Sequence, residues 1–375
     1  MPHPFQTELL YQIALTMAPS IGPITARRLI SKAGSASEVF RLSRATLEKI
    51  PGIGPLMSSS IHSSSLLERA EKEMEYIQKD QISAIYMNDS EYPRRLLECE
   101  DAPILLYCKG KAGLNTCRAL SVVGTRRASS YGKELCRSMV LDLSSRIGDL
   151  VIISGLAFGI DVIAHRAALE AKIPTVAVLG HGLHTVYPFA HRETALTISG
   201  RGALVTDFHS GMGPERNNFL RRNRIIAGLA DATLVVESAE RGGALITAAL
   251  AASYQRDVLA VPGRATDGRS RGCNRLIKDH VAALVESAED VIRHLNWTED
   301  GFQQSTPPFI RRSFSDQEKI LLELMVRNNG MGPGELSNHS GMPIQTVLSH
   351  LTEMELKKWI TQEPGNRYQA IIELC

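Results

Sequence analysis

Short apolar runs rich in β-branched residues recur along the middle of this chain, and stretches of helical length separate most of them. From about residue 82 the runs are ISAIYM, ILLYCKG, ALSVVG, LVIISG, TVAVLG, ALVTDF, ATLVVES, DVLAVPG and AALVES. Segments such as ELCRSMVLDLSS and ITAALAASYQ lie between them and have the length and composition of helices. Near-continuous apolar strands alternating with helices predict an α/β fold, a doubly wound and mainly parallel sheet covered on both faces. The first two runs precede the alternation, so they are expected to extend or cover one edge of the sheet. Strand order is not legible from the pattern.

The flanks have a different periodicity. MAPSIGPITARRLI at 17–30 is echoed by KIPGIGPLMSSSI at 49–61, with Gly22 and Gly54 in matching places. Both segments resemble helix-hairpin-helix turns, whose second helix starts with exposed N–H groups that can hold a DNA phosphate. The alternative is a small helical domain without a ligand, since Ser58, Ser59 and Ser60 come after the second glycine turn and no Lys or Arg follows that turn closely. At the other end, a polar stretch containing Pro307 and Pro308 reads as a linker. SDQEKILLELMVRN, PGELSNHSG and PIQTVLSHLTEMELKKWI then predict three amphipathic helices. ITQEPGNRYQAI predicts a two-stranded wing closed at Pro364, Gly365 and Asn366, which completes a winged-helix pattern. Its third helix offers Gln345, Thr346, Ser349 and His350 before Lys357 and Lys358, a poor set for sequence-specific duplex reading. The expected organisation is a helical domain over 1–80, an extended Rossmann-like domain over 81–295, a linker over 296–312 and a winged helix over 313–375.

Composition adds bounds. A chain of 375 residues suggests two or three domains, and 43% apolar with 22% charged residues is ordinary for soluble globular protein. The formal net charge is only +2, so a nucleic-acid surface must be local. Six cysteines with no C-x-x-C pair support neither a zinc site nor a disulfide framework, and reduced thiols are expected. The N-terminus lacks a basic leader, and no run reaches the ~20 apolar residues of a membrane span. A cytoplasmic location with no membrane association follows as an expectation.

Candidate chemistry lies in four Gly-punctuated segments, VVGTRRASSYG at 122–132, SGLAFGID at 154–161, NNFLRRNRIIAGL at 217–229 and ERGGALITA at 240–248. Each follows an apolar run and precedes a predicted helix, which places it at the carboxyl ends of the strands, where open α/β sheets bind ligands. In the first, Gly124 brings the backbone close to a ligand, Thr125 and Ser129 can donate to phosphate oxygens, and Arg126 supplies a planar charge. The alternative for Arg126 is a salt bridge within the fold. Gly155 and Gly159 punctuate the second segment. Around the third, Arg216, Arg222 and Arg224 surround Phe219, pairing charge with a ring on which a base can stack. Phe219 is otherwise a core residue, and Asn223 either touches the ligand or caps a helix. Gly242 and Gly243 open the last helix as a second phosphate cradle. Single-stranded nucleic acid fits this set best.

These segments, with VPG and GCNRLIK after them, resemble the DNA-processing protein A family, known as DprA or Smf, over nearly the whole chain. The resemblance implies a non-enzymatic bacterial protein, without cofactor, that binds single-stranded DNA through an extended Rossmann domain and dimerises through it. It further implies that RecA recombinase is loaded onto incoming strands during natural transformation. Two departures stand out. Thr125 replaces a serine of the family signature, and Lys278 is followed by Asp279, His280, Val281 and Ala282 where the family has a variable residue and Gly-Ala, near its dimer surface.

Enzymatic alternatives lack their defining residues. A nicotinamide site needs G-x-G-x-x-G, whereas no second glycine follows Gly124 until Gly132. GGALITA is similar to the glycine turn of the nucleoside-monophosphate phosphoribohydrolases, the runner-up reading. Thr247, Ala248 and Ala249 stand where that family carries its catalytic glutamate. His165, His181 and His184 have no evident carboxylate or nucleophile partner, so no catalytic residue is assigned.

Overall fold

The computed structural model describes residues 4–111, 113–298, 315–327, 331–356, 359–363 and 367–370. Two compact units divide the chain, residues 1–302 and 303–375.

The first unit opens with six helices: α1 (Pro4–Met17), α2 (Pro23–Ala33), α3 (Ala36–Arg41), α4 (Arg44–Leu47), α5 (Pro55–Ile61) and α6 (Ser64–Lys79). The sequence repeat corresponds to α2 and α5, each capped by glycine with proline at its first turn. Proline suits that position because its missing N–H has no intrahelical partner there.

All nine apolar runs form strands. They are β1 (Ser83–Tyr86), β2 (Leu105–Gly110), β3 (Arg118–Val123), β4 (Leu150–Ser154), β5 (Thr175–Val178), β6 (Ala203–Thr206), β7 (Ala232–Val235), β8 (Asp257–Ala260) and β9 (Ala283–Leu284). They make one sheet in the order β1-β2-β6-β5-β4-β3-β7-β8-β9. The pairs from β6 to β9 are parallel, whereas β1 and β2 add antiparallel at the β6 edge, as the early position of their runs suggests. The chain steps outward from β3 to β6, then returns to β7 on the other side of β3. The crevice between β3 and β7 is therefore the topological switch point, where such sheets receive ligands.

Side chains alternate between the faces, as the pleat requires. Ala119, Val123, Val151 and Ile153 pack with α7 (Arg94–Leu97), α11 (Arg216–Leu229), α12 (Gly243–Ser253) and α13 (Arg271–Lys278). Leu120, Val122, Leu150 and Ile152 pack with α8 (Ser130–Arg146), α9 (Ile160–Glu170) and α14 (Ala288–His294). On that second face, α10 (Arg192–Arg201) covers β5 and β6 through Ala195 and Ile198. The N-terminal helices cover β1 and β2 there, enclosing Tyr86, Leu105 and Tyr107 with Ile13, Leu66 and Ile77.

The second unit contains α15 (Asp316–Arg327), α16 (Pro333–Ser340), α17 (Ile344–Leu356) and an antiparallel pair, β10 (Ile360–Glu363) and β11 (Arg367–Ala370). Leu321, Leu336, Val347 and Leu351 are in its core. These are the three predicted helices and the wing. Lys357, Lys358, the turn at Pro364, Gly365 and Asn366, and the linker prolines lie outside the described residues. No described helix is long and apolar enough to cross a membrane.

Candidate nucleic-acid interface

The four segments meet at the carboxyl ends of the parallel strands, joined by hydrogen bonds. The loop after β3 is held from two sides. The Thr125 N–H donates to the Glu237 carbonyl at 2.7 Å, and the Ile160 N–H donates to the Thr125 carbonyl at 3.3 Å. Gly159 is the residue that permits this closeness: its φ is +82°, and a Cβ there would lie 2.1 Å from the Thr125 carbonyl oxygen. Gly124 packs against Ile160 at the same junction. Arg126 is left exposed at the tip.

Ser129 does more folding work than expected. Its hydroxyl accepts from the Gly132 N–H at 3.0 Å and caps α8, and its N–H donates to the buried Glu237 carboxylate at 2.8 Å. The capping adds a folding role to Ser129 and, because the hydroxyl acts there as acceptor, leaves its O–H available to a phosphate. Glu237, absent from the predicted set, thus fixes the first loop by both its backbone and its side chain.

The third segment is not a turn but the body of α11. Its helical phase sorts its residues. Arg216 and Phe219, three positions apart in the first turn, share a face. Arg216 is exposed, and Phe219 is half-buried. The Arg126 guanidinium lies 5.8 Å from the Phe219 ring centre, so two separate segments bring a cation and a ring together. Tyr187, from the connection after β5, is 5.6 Å from the same ring.

Arg222 and Arg224 turn inward, which corrects their assignment as phosphate contacts. Arg222 is 3% exposed; its Nη1 donates to the Gly155 carbonyl at 2.5 Å and also to the Val178 carbonyl. Gly155 leaves room for it, since a Cβ would lie 2.1 Å from Nη1. Burial draws the Arg222 pKa down to about 10, against the attraction of buried Asp161, so the guanidinium stays charged at neutral pH. Burial likewise raises the Asp161 carboxyl, with the Arg222 charge opposing it. Arg222 ties α11 to the ends of β4 and β5. Arg224 pairs with Asp207, and both side chains are buried. Asn223 is buried, and its side-chain amide donates to the Gly243 carbonyl at 3.3 Å, joining α11 to α12. Gly242 and Gly243 are exposed at the start of α12, where first-turn N–H groups are available. A cleft of about 490 Å³ opens at the switch point beside this network, lined by Ser129, Tyr131, Glu237, Gly263, Arg264 and Ser270.

A model of the DNA recombination-mediator protein A family matches residues 83–296, more than half of the chain. The chain belongs to that family. A second model, the DprA winged helix domain, matches residues 305–366. Protein Smf of Escherichia coli is 37% identical over 300 residues, covering 76% of this chain and 77% of that one. The structure of DprA from Streptococcus pneumoniae superposes with a TM-score of 0.64 and 30% identity, covering 76% of this chain and 97% of that one. A structure concerned with the single-stranded DNA binding mode of DNA processing protein A from Helicobacter pylori gives a TM-score of 0.52 and 27% identity. It covers 58% of this chain and 96% of that one.

The histidines behave as folding residues. Thr175 donates its hydroxyl to the Ile152 carbonyl at 2.7 Å and is also 2.7 Å from Nδ1 of wholly buried His165. Nδ1 is then the donor, and Nε2 is buried without a partner among the described residues. Burial lowers the His165 pKa to about 3, and it lowers His209 to about 4 with help from Arg69 and His184. The unfolded chain binds these protons near pH 6.5, whereas the folded one refuses them. Stability is therefore complete above about pH 6.5 and lost as pH falls toward 3, by about 1.4 kcal/mol per unit for His165. Melting temperature should be level above neutrality and drop on acidification, less steeply in His165→Gln. A profile identical in wild type and variant would remove His165 from this account.

Proposed function

We propose that this chain binds single-stranded DNA without sequence specificity along the carboxyl edge of its parallel sheet and loads RecA recombinase onto the bound strand during natural transformation and recombination. The observation that carries the DNA reading is the meeting of Arg126 with Phe219, beside Arg216. An exposed cation reaches a phosphate while the ring receives a base, the combination that holds single strands irrespective of sequence. Thr125 and the N–H groups at Gly242 and Gly243 supply further phosphate contacts. Family membership and the Helicobacter pylori protein's DNA-binding mode support this reading. The RecA step, homodimerisation through the Rossmann-like domain and a cytoplasmic site of action rest on the family resemblance of the motifs. The role is one of binding rather than catalysis. Thr247 and Ala248 provide no carboxylate, and the Glu237 carboxylate is already engaged by the Ser129 N–H, which disfavours the phosphoribohydrolase alternative.

Oligo-dT binding across a salt series tests the site. Each phosphate contact contributes a log-log slope of roughly −0.7, so Arg126→Ala and Arg216→Ala should each flatten the dependence by about that amount. Phe219→Ala should weaken binding by about 1–3 kcal/mol with a smaller effect on melting. Duplex DNA, whose bases are stacked already, should bind far more weakly. Unchanged affinity and slope in folded Arg126→Ala would remove the first loop from the site.

A further inference from the structure

Four aromatic side chains among the described residues are broadly exposed: Tyr131 at 68%, Phe158 at 50%, Tyr187 at 47% and Phe189 at 74%. All four follow the carboxyl ends of β3, β4 or β5, on the edge that carries Arg126 and Phe219. Exposed rings scattered over a surface need no explanation, but their concentration on one edge marks a ligand-facing surface. Three of the four also form a connected series. Phe219 touches Tyr187 at 5.6 Å, Pro188 links Tyr187 to Phe189, the Arg192 guanidinium lies 5.9 Å from the Phe189 ring, and Phe158 meets His191 edge-on at 4.8 Å. Arg192 is itself exposed.

We infer that the strand does not end at Phe219 but crosses Tyr187 to a second stacking station, formed by Phe189 and Phe158, with Arg192 contacting a phosphate beside Phe189. Single-stranded DNA is the occupant because a guanidinium flanks the ring series at each end, Arg126 against Phe219 and Arg192 against Phe189, so that bases on the rings have cations beside them for their phosphates. An apolar protein partner would leave these two cations, one against the ring at each end, without a counter-charge, whereas a strand supplies phosphates to both. This inference rests on the single-strand reading above, and it assigns that site a length and a direction, from Arg126 toward α10.

Oligo-dT of about four and of about fifteen nucleotides, within the range of single-strand sites, separates the stations. The high exposure of Phe189 allows its truncation without unfolding, checked by an unchanged melting temperature. Phe189→Ala combined with Phe158→Ala should weaken the long oligonucleotide about tenfold, equivalent to about 1.4 kcal/mol, and leave the short one, held at Phe219, unchanged. Arg192→Ala should reduce the salt slope for the long one only. If Phe219→Ala weakens both lengths while the double variant changes neither, the second station is wrong and the aromatic edge serves a different partner. If neither variant affects either length, the single-strand reading itself fails.

Discussion

Replacing Arg224 by alanine should lower the unfolding free energy by about 3–5 kcal/mol and leave the salt dependence of DNA binding, per folded molecule, unchanged. Its guanidinium contacts the Asp207 carboxylate and the Asp101 carbonyl, and the two side chains are 8% and 6% exposed. The Asp207 Oδ1 atom is buried without a hydrogen-bond partner among the described residues. Removing the arginine thus strands a carboxylate in the interior, and breaking a buried pair from one side has a penalty of that order. Replacing both partners, Arg224→Met with Asp207→Asn, should recover much of the loss because no buried charge remains. The measurement is denaturant unfolding beside an oligo-dT salt series. Near-native stability with a flattened slope in Arg224→Ala would reverse the assignment and return Arg224 to the phosphate site.

Periodicity alone could have separated the arginines of α11. Arg222 stands at i−3 and i−4 to Ile225 and Ile226 and at i−7 to Leu229, the apolar stripe of the helix, so its side chain had to turn toward the sheet. Followed in that phase, the arginines around Phe219 divide, Arg216 toward solvent and Arg222 and Arg224 into the fold. The partners of the inward arginines were not legible, because Asp207 and the carbonyls of Gly155 and Val178 come from other elements and only the sheet order brings them near. The strands, by contrast, were written in the chain: nine apolar runs became nine strands, since a buried parallel strand needs little beyond β-branched apolar residues. Their order depends on contacts between distant segments. Glu237 escaped for a similar reason. A carboxylate at the end of ATLVVES carries no signal until the first loop folds over it and supplies the Ser129 N–H. The exposed rings at Tyr187 and Phe189 were unremarkable in sequence, because their meaning lies in which edge of the sheet they share.

Removing the first 80 residues should abolish both the cooperative fold and DNA binding, whereas ending the chain at residue 302 should preserve both. A domain division at residue 80 implies a fragment from about 80 to 295 that folds and binds by itself, but residues 1–302 form one compact unit. The N-terminal helices enclose Tyr86, Ile104, Leu105 and Tyr107. Exposing four such side chains, at about 1.5–3 kcal/mol each, is comparable with the whole net stability of a domain, about 5–15 kcal/mol. The helices also reach the site directly. Buried Glu73 on α6 accepts from the Ser210 N–H at 2.8 and 3.0 Å and from the Ser210 hydroxyl, anchoring the connection that leads into α11 with Arg216 and Phe219. Glu73→Ala isolates this second effect, since it frees that connection while the apolar cover stays in place. It should weaken oligo-dT binding, with thermal unfolding remaining cooperative. The C-terminal unit has its own core, and α17 carries no Lys or Arg between Ile344 and Leu356, so its deletion should change affinity for a bare strand little. A loss of tenfold or more on ending the chain at 302, or full binding by a fragment lacking residues 1–80, would place the DNA contacts in other parts of the chain than those described.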